Sequence, residues 1–83
     1  MAVEAGPLGV RVNGICPGLI ETSMTKEIFD SSFERDYLRK KIPLKNFASK
    51  EDIAMAALFL VRNSSITGQI ITVDSGFLAS QDI

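Results

Sequence analysis

The residues best suited to chemistry lie where a predicted strand stops. Val10 to Cys16 form a largely apolar, β-branched run typical of a strand inside a sheet, and Pro17-Gly18 then ends it. Proline fixes its own φ angle and glycine lets another group approach closely, so the backbone beyond this turn is open to a ligand. Thr22 adds a hydroxyl, although a lone threonine there more often serves a turn or a helix cap. In open parallel sheets, ligands bind beyond the carboxyl ends of the strands, which makes this turn the first candidate site.

The composition argues against several other kinds of chemistry. The 83 residues contain no histidine, the commonest metal ligand and the commonest general base. Nine basic residues against ten acidic ones give no electrostatic basis for binding nucleic acid. The single cysteine, Cys16, fits a small apolar residue in a reducing compartment better than it fits a reactive thiol. No apolar run is long enough to span a membrane and no signal-peptide pattern occurs, so we expect a cytoplasmic protein without a membrane partner.

The elements that position this turn begin with the end of a helix. Residues 1–9 are typical of a last helical turn, with Gly6 or Gly9 as its terminator and Pro7 preventing continuation. Helix nucleation is costly, and the sequence places no capping residue before this turn. We therefore expect the chain to be a cut piece of a longer protein.

Residues 23–48 form a long excursion away from the strand. Four apolar residues recur there at helical spacing, Ile28, Phe29, Phe33 and Tyr37, and Leu38 with Ile42 extends this stripe loosely. Pro43 ends any such helix by residue 42. Two interpretations stay open, a mobile lid that closes over a substrate and, favoured by periodicity alone, a surface helix buried on one face.

A second helix and a second strand follow in residues 49–76. Ser49 and Asp52 have the spacing of a reciprocal capping box at a helix start. The helix is apolar all round over residues 53–61, so it needs cover on both sides, which an oligomer partner or another part of the same chain could provide. Residues 69–73 then read as a strand ended by Asp74-Ser75-Gly76, and residues 77–83 as a short mobile tail.

The order of strand, excursion, helix and strand predicts a βαβ crossover in a parallel sheet. Parallel sheets occur almost only with helices on both faces, and this chain supplies one helix and a possible lid. A free-standing small α/β domain is therefore the least favoured interpretation, because so small a core barely offsets the conformational entropy lost on folding.

Three segments together resemble the C-terminal third of the short-chain dehydrogenase/reductase family. The first runs from Glu4-Ala5-Gly6-Pro7 through Gly9-Val10-Arg11-Val12-Asn13 to Pro17-Gly18. The second is Glu51-Asp52-Ile53-Ala54 opening the apolar helix, and the third is Ile66-Thr67-Gly68-Gln69 followed by Val73-Asp74-Ser75-Gly76. The resemblance implies an α/β fold, the C-terminal portion of a Rossmann-type doubly wound parallel sheet. This portion contains the last two strands, one crossover helix and a loop or helical lid.

The same resemblance implies roles for individual residues. The backbone of Ile20 is expected to bond the carboxamide of the nicotinamide in NAD or NADP, with Thr22 adding a hydroxyl contact. A carboxamide needs both a donor and an acceptor, and a strand end supplies both. Pro17 and Gly18 would shape the turn so that the ring can approach. Residues 23–48 correspond to the substrate-binding loop, here for a small carbonyl or alcohol, and helix 53–61 with strand 69–73 to surfaces that pack in homo-oligomers.

Several parts of the family pattern do not occur in these 83 residues. They contain no G-x-x-x-G-x-G phosphate loop, no residue that selects NAD over NADP, and no Asn-Asn-Ala-Gly segment. Tyr37 and Lys41 match the Y-x-x-x-K spacing of the family's catalytic pair, in which lysine stabilises the deprotonated tyrosine. The family's pair precedes the Pro-Gly turn, however, and this one follows it, so a solvated helix face is the favoured interpretation. We expect no catalytic residue and no metal ligand in the chain.

Two functions follow as hypotheses. The first is the C-terminal piece of an NAD(P)-dependent oxidoreductase acting on a carbonyl/alcohol pair, such as a 3-oxoacyl thioester, and inactive by itself. The second is a non-catalytic module that docks onto full-length relatives through its uncovered apolar helix.

Overall fold

A computed structural model describes residues 1–20 and 32–81 of the chain. Helix α1 spans Ala2–Ala5 and continues as a 3-10 helix over Gly6–Leu8. Strand β1 spans Gly14–Pro17, helix α2 Ser32–Lys40 and helix α3 Lys50–Arg62. Strand β2 spans Ile70–Val73 and helix α4 Phe77–Ser80.

The two strands pair in parallel, as the crossover order predicts. Gly14 lies opposite Ile70 and Pro17 opposite Val73, so the strands start and stop together. Strand β1 is shorter than the predicted run from Val10. The amide of Val12 donates to the Thr67 hydroxyl at 3.0 Å instead of to a strand, so regular pairing begins only at Gly14.

Of the two glycines predicted to end the first helix, Gly9 ends it and Gly6 does not. Gly6 has a helical φ of −52°, and the chain passes through it into the 3-10 helix. Pro7 lies inside that short helix near its start, where a missing amide hydrogen leaves no bond unmade. Gly9, at a φ of 76°, is the terminator, because the left-handed region is readily accessible only to glycine.

Helix α3 begins with the predicted capping box. The Ser49 hydroxyl accepts from the Asp52 amide at 3.0 Å, and the Asp52 carboxylate accepts from the Ser49 amide at 2.9 Å. These bonds hold the pKa of the Asp52 carboxyl below its ordinary value, the bond from the Ser49 backbone amide being the larger cause. The capping box fixes where the crossover helix starts.

Helix α2 ends at Lys40, before Pro43, as predicted. Its apolar face is not buried as the surface-helix interpretation expected, since Phe33 is 78% exposed and Tyr37 is 53% exposed. Ile28 and Phe29 lie outside the described residues. Of the two residues that extend the predicted stripe, Leu38 is half-buried and Ile42, just after the helix, is 3% exposed, so the stripe is buried only at its end.

The core of the described residues is small. The buried apolar residues there are Ile42, Ala48 and Leu60. Met55 and Phe59 of α3 remain 69% and 53% exposed, because only one side of the helix packs on the sheet. Residues 77–80 of the predicted tail form the single turn of α4. No helix in the described part of the chain is long and apolar enough to cross a membrane.

Candidate functional site

The candidate site lies at the carboxyl edge of the sheet. Because the strands are parallel and in register, the Pro17-Gly18 turn after β1 and the Asp74-Ser75-Gly76 turn after β2 leave the sheet side by side. The amino terminus of α3 lies at the same edge, since a crossover helix runs antiparallel to the strands that it connects. This edge is where an open parallel sheet binds ligands.

Gly18 is held against the end of β2. Its amide donates to the Val73 carbonyl at 2.9 Å, and a Cβ added at this position would lie 2.5 Å from the Cβ of Asp74 and 2.6 Å from its Cα. No real side chain tolerates such distances to backbone. The sequence assigned this glycine to the approach of a ligand, whereas the structure shows that close contact with the neighbouring strand already requires it.

The other three residues predicted to contact the cofactor are Pro17, Ile20 and Thr22. Pro17 is exposed at the end of β1, and Ile20 is half-buried two residues past Gly18. Ile20 lines a cavity of about 300 Å³ together with the segment from Phe47 to Glu51, which includes the start of α3. Thr22 lies outside the described residues. The structure therefore places Pro17, Gly18 and Ile20 together on one edge.

Asp74, directly after β2, has its carboxylate engaged within its own turn. One oxygen accepts from the Gly76 amide at 2.9 Å and the other from the Leu78 amide at 2.8 Å. The carboxylate thus holds the turn and the first residues of α4 in place. Asp74 therefore has a structural role at this edge, which explains its acidic side chain without a catalytic function.

A wider groove opens beside the same turn. It has a volume of about 790 Å³ and lies between α3, β2, α4 and the segment before α3. Met55 and Leu78 contribute apolar walls, and Asp52 and Asp74 lie among its lining residues. The carboxyl edge therefore carries two open cavities.

The amino edge of the sheet holds polar residues whose role sequence reasoning missed. The Arg11 guanidinium donates to the carbonyls of Leu60 at 2.7 Å, Val61 at 2.9 Å and Asn63 at 2.9 Å, at the end of α3. These carbonyls have no partner within the helix, so the arginine caps them from outside. The only signal in the sequence is a charged residue just before an apolar strand.

Asn13 completes this polar cluster. Its side-chain amide donates to the Ile66 carbonyl at 2.9 Å, and its side-chain oxygen accepts from the Gln69 amide at 3.0 Å. The side chain thereby substitutes for strand pairing across the loop that leads into β2. Asn13 and Arg11 together make the amino edge a structural site.

Tyr37 and Lys41 do not form a proton-transfer pair. The ammonium of Lys41 lies over the face of the Tyr37 ring, 4.4 Å from its centroid, on an exposed part of α2 and the turn after it. This is a cation–π contact in solvent. Arg39 makes a similar contact with the half-buried Phe47 ring at 5.7 Å, so a cation lies over an aromatic ring twice in this segment.

Metal chemistry gains no support from the geometry. Within the described residues, no three side chains of histidine, cysteine, aspartate or glutamate converge on one point. Cys16 is exposed on β1.

Comparison with known proteins gives consistent matches over nearly the whole chain. The family model described as enoyl-(acyl carrier protein) reductase matches residues 1–78. The 3-oxoacyl-(acyl-carrier-protein) reductase FabG of Chlamydia muridarum is 46% identical over 78 residues, covering 92% of this chain and 31% of that protein.

Two solved structures superimpose closely on the chain. An oxidoreductase of the short chain dehydrogenase/reductase family from Burkholderia thailandensis matches with a TM-score of 0.86 at 40% identity, covering 94% of this chain and 32% of the other. A 4-hydroxyisoleucine dehydrogenase in complex with NADH matches with a TM-score of 0.89 at 31% identity, covering 95% of this chain and 33% of the other. The chain spans about a third of the length of the proteins that it matches.

Proposed function

This chain belongs to the short-chain dehydrogenase/reductase family, and from that premise we propose that it forms the C-terminal part of an NAD(P)-dependent oxidoreductase acting on a carbonyl/alcohol pair. The observation that carries the proposal is the parallel register of β1 and β2, which brings the Pro17-Gly18 turn to the ligand-binding edge of a Rossmann-type sheet. Such an enzyme is expected in the cytoplasm, where the lone Cys16 would stay reduced.

The residues at this edge fit the nicotinamide end of the cofactor. The backbone after β1 offers both donors and acceptors, which is the set that a carboxamide needs, and Gly18 holds that backbone against β2. In this role Ile20 binds the carboxamide through its backbone, Thr22 adds its hydroxyl, and Pro17 shapes the turn. When bound, the cofactor supplies the hydride, and these residues orient its ring.

Substituting Thr22 tests the cofactor role in the native protein that carries this sequence. Thr22→Val removes the hydroxyl and keeps the shape of the side chain. The Kd for the nicotinamide cofactor should therefore rise about fivefold, which corresponds to the net free energy of one hydrogen bond. Thr72→Val is the matched control, because Thr72 lies on β2 before the turn, and it should leave the Kd unchanged. Equal Kd values for both variants and the unmodified protein would remove Thr22 from the site.

The substrate class to test first is a 3-oxoacyl thioester. The support is the relative at 46% identity, which is named for reduction of that class on an acyl carrier protein. Turnover is followed as oxidation of NADH or NADPH by the native protein, with a simple ketone in a parallel assay. Reduction of neither substrate with either cofactor would contradict the proposed activity.

We expect the 83-residue polypeptide by itself to be inactive. Its sequence holds no G-x-x-x-G-x-G phosphate loop, and the exposed ring of its one tyrosine carries the Lys41 ammonium over its face. Incubation of the purified polypeptide with NADPH and a 3-oxoacyl thioester should leave the cofactor reduced. A full-length family member under the same conditions is the positive control.

A docking module is the second candidate, and the exposed side of α3 favours it. Met55, Phe59 and Val61 are exposed on the helix, and Ile70 is 75% exposed on β2. Large apolar side chains exposed on these two elements support an interaction site, here a homo-oligomer contact through helix 53–61 and strand 69–73 or a contact with full-length relatives. Mixing the polypeptide with a full-length family member should give co-elution at micromolar concentration, and separate elution would count against docking.

A further inference from the structure

Two turns at the carboxyl edge share an unusual backbone. Among the residues that the structure describes, Lys45 and Ser75 are the only non-glycine residues with a positive φ, at 60° and 57°. The left-handed region is unfavourable for any residue that carries a Cβ. Each residue therefore keeps this conformation only because its surroundings hold it there.

The two turns are joined to each other. The Leu44 amide donates to the Ser75 carbonyl at 3.1 Å. Beside this bond, the Pro43 ring packs against Gly76 so closely that an added Cβ would lie 3.0 Å from the Pro43 Cγ. Contact between the turns thus has both a polar and an apolar component.

Each turn is also braced from its own side. The Lys45 amide donates to the Ile42 carbonyl at 2.9 Å, the Lys45 ammonium donates to the Lys40 carbonyl at 2.7 Å, and the Ile42 side chain is buried. On the opposite side, the Asp74 carboxylate accepts from the Gly76 amide. Two separately braced turns that meet through one backbone bond have the form of a latch.

From this geometry we infer that residues 42–45 and 74–76 form a latch that anchors the substrate segment to the end of β2, with Lys45 and Ser75 as positioning residues. The inference rests on the proposed function, in which residues 23–48 contact the carbonyl substrate. The latch lies at the carboxyl end of that segment and includes none of residues 17–22. Asp74 of the latch lies against Gly18, so the variants below change Lys45 or Ser75 and leave Asp74 in place, and they should weaken substrate binding much more than cofactor binding.

A matched pair of variants isolates the backbone strain at Lys45. Lys45→Gly and Lys45→Val both lose the ammonium bond to the Lys40 carbonyl, and Lys45 is exposed, so neither change alters the core. Glycine accepts a φ of 60° readily, whereas a β-branched residue strongly resists it. Ser75→Gly and Ser75→Val repeat the comparison from the other turn, in case one valine variant fails to fold.

Two measurements on the native protein test the latch. In the valine variants we expect amide hydrogen exchange at Leu44 to become about tenfold faster, because loss of the turn exposes this amide. In the same variants, KM for a 3-oxobutanoyl thioester should rise about tenfold, with the cofactor Kd within about twofold of the unmodified protein. The glycine variants should stay within about twofold in all three quantities.

The outcomes distinguish failure of the latch from failure of the proposed function. Equal Leu44 exchange in the glycine and valine variants would overturn the latch itself. Faster exchange with unchanged KM would overturn the positioning role, and a cofactor Kd that rises together with KM would point to general loosening instead. Absence of any carbonyl reduction by the unmodified protein would overturn the proposed function and the positioning role with it, while an exchange difference would still support the latch.

Discussion

The two edges of the same small sheet are built in opposite ways. At the amino edge, the Arg11 side chain donates to carbonyls at the end of α3, and the Asn13 side chain donates to the Ile66 carbonyl of the loop between α3 and β2. The Thr67 hydroxyl of that loop accepts from the Val12 amide. At the carboxyl edge, the strand ends meet through backbone contacts, and two open cavities lie beside them. Cavities open at both edges, so the edges differ in what joins the strands. Polar side chains bind backbone groups at the amino edge, whereas the carboxyl edge closes on the contact between Gly18 and Asp74.

The largest expected effect comes from adding a side chain at Gly18, where the two strand ends are in very close contact. Gly18→Ala would put a Cβ within 2.6 Å of the Asp74 backbone, so the strand ends must separate. We expect a loss of about 3 kcal/mol in the free energy of unfolding, measured by urea titration of the native protein.

Gly14→Ala is the control at the other end of β1. A Cβ there would meet the Ile70 side chain at 3.5 Å, an ordinary contact, so we expect a change below about 1 kcal/mol. Similar losses at both positions would mean that the two ends of β1 are equally constrained and would break the comparison.

The amino edge should respond next most strongly. Arg11→Met keeps the length of the side chain and removes its bonds to four carbonyls, which should lower the free energy of unfolding by about 2 kcal/mol. Arg62→Met removes a charge from the exposed last turn of the same helix and should cost about 0.5 kcal/mol. Equal losses for the two variants would show that Arg11 acts through its charge alone.

A smaller effect is expected at the start of α3, where the helix meets the carboxyl edge. Ser49→Ala should lower the free energy of unfolding by about 1 kcal/mol, and Ser49→Asp, which retains a capping oxygen, should restore most of it. Thermal melts of the three proteins at neutral pH compare them directly.

The Asp52 carboxylate of the same capping box should make that stability depend on pH. Its pKa is lowered in the folded chain, so its contribution is complete above the ordinary value of 3.8 and is lost as pH falls through the lower folded value. Asp52→Asn should therefore flatten the acid limb of the stability profile. An unchanged acid limb would contradict the assignment of the lowered pKa to these bonds.

The smallest effect is expected from the pair that most resembles a catalytic motif. Tyr37→Phe and Lys41→Met should each leave kcat for carbonyl reduction within about twofold, because their contact lies in solvent. A loss of about a hundredfold in kcat for either variant would instead identify Tyr37 as a proton donor. Helix α2 would then have to bring this tyrosine to the carboxyl edge.

The sequence predicted those elements whose signals are local. The capping box at Ser49, the termination of α2 before Pro43 and the parallel order of the strands follow from spacing, proline chemistry and the crossover rule, and all three are confirmed. The start of β1 was wrong because a distant hydroxyl, that of Thr67, takes the bond that a strand would make.

The features that the sequence did not predict depend on contacts between residues far apart in the chain. Arg11 bonds to carbonyls 49 to 52 residues away, and Gly18 faces Asp74 across the sheet, so no window of sequence contains both partners. For the same reason Gly18 was assigned to ligand approach alone. The roles of Pro17, Ile20 and Thr22 at the cofactor remain predictions, since they depend on a partner molecule.

The pairing of β1 with β2 also dictates an order of folding. Gly14 pairs with Ile70 and Asn13 bonds to Gln69, each across 56 residues of chain, so the sheet closes only after a large loss of loop entropy. Helix α3, with its own capping box, needs only neighbouring residues and can form early. On the ribosome, the turn after β1 is made early but gains its supporting strand only once Val73 has emerged, so the candidate site is among the last parts of this chain to take shape.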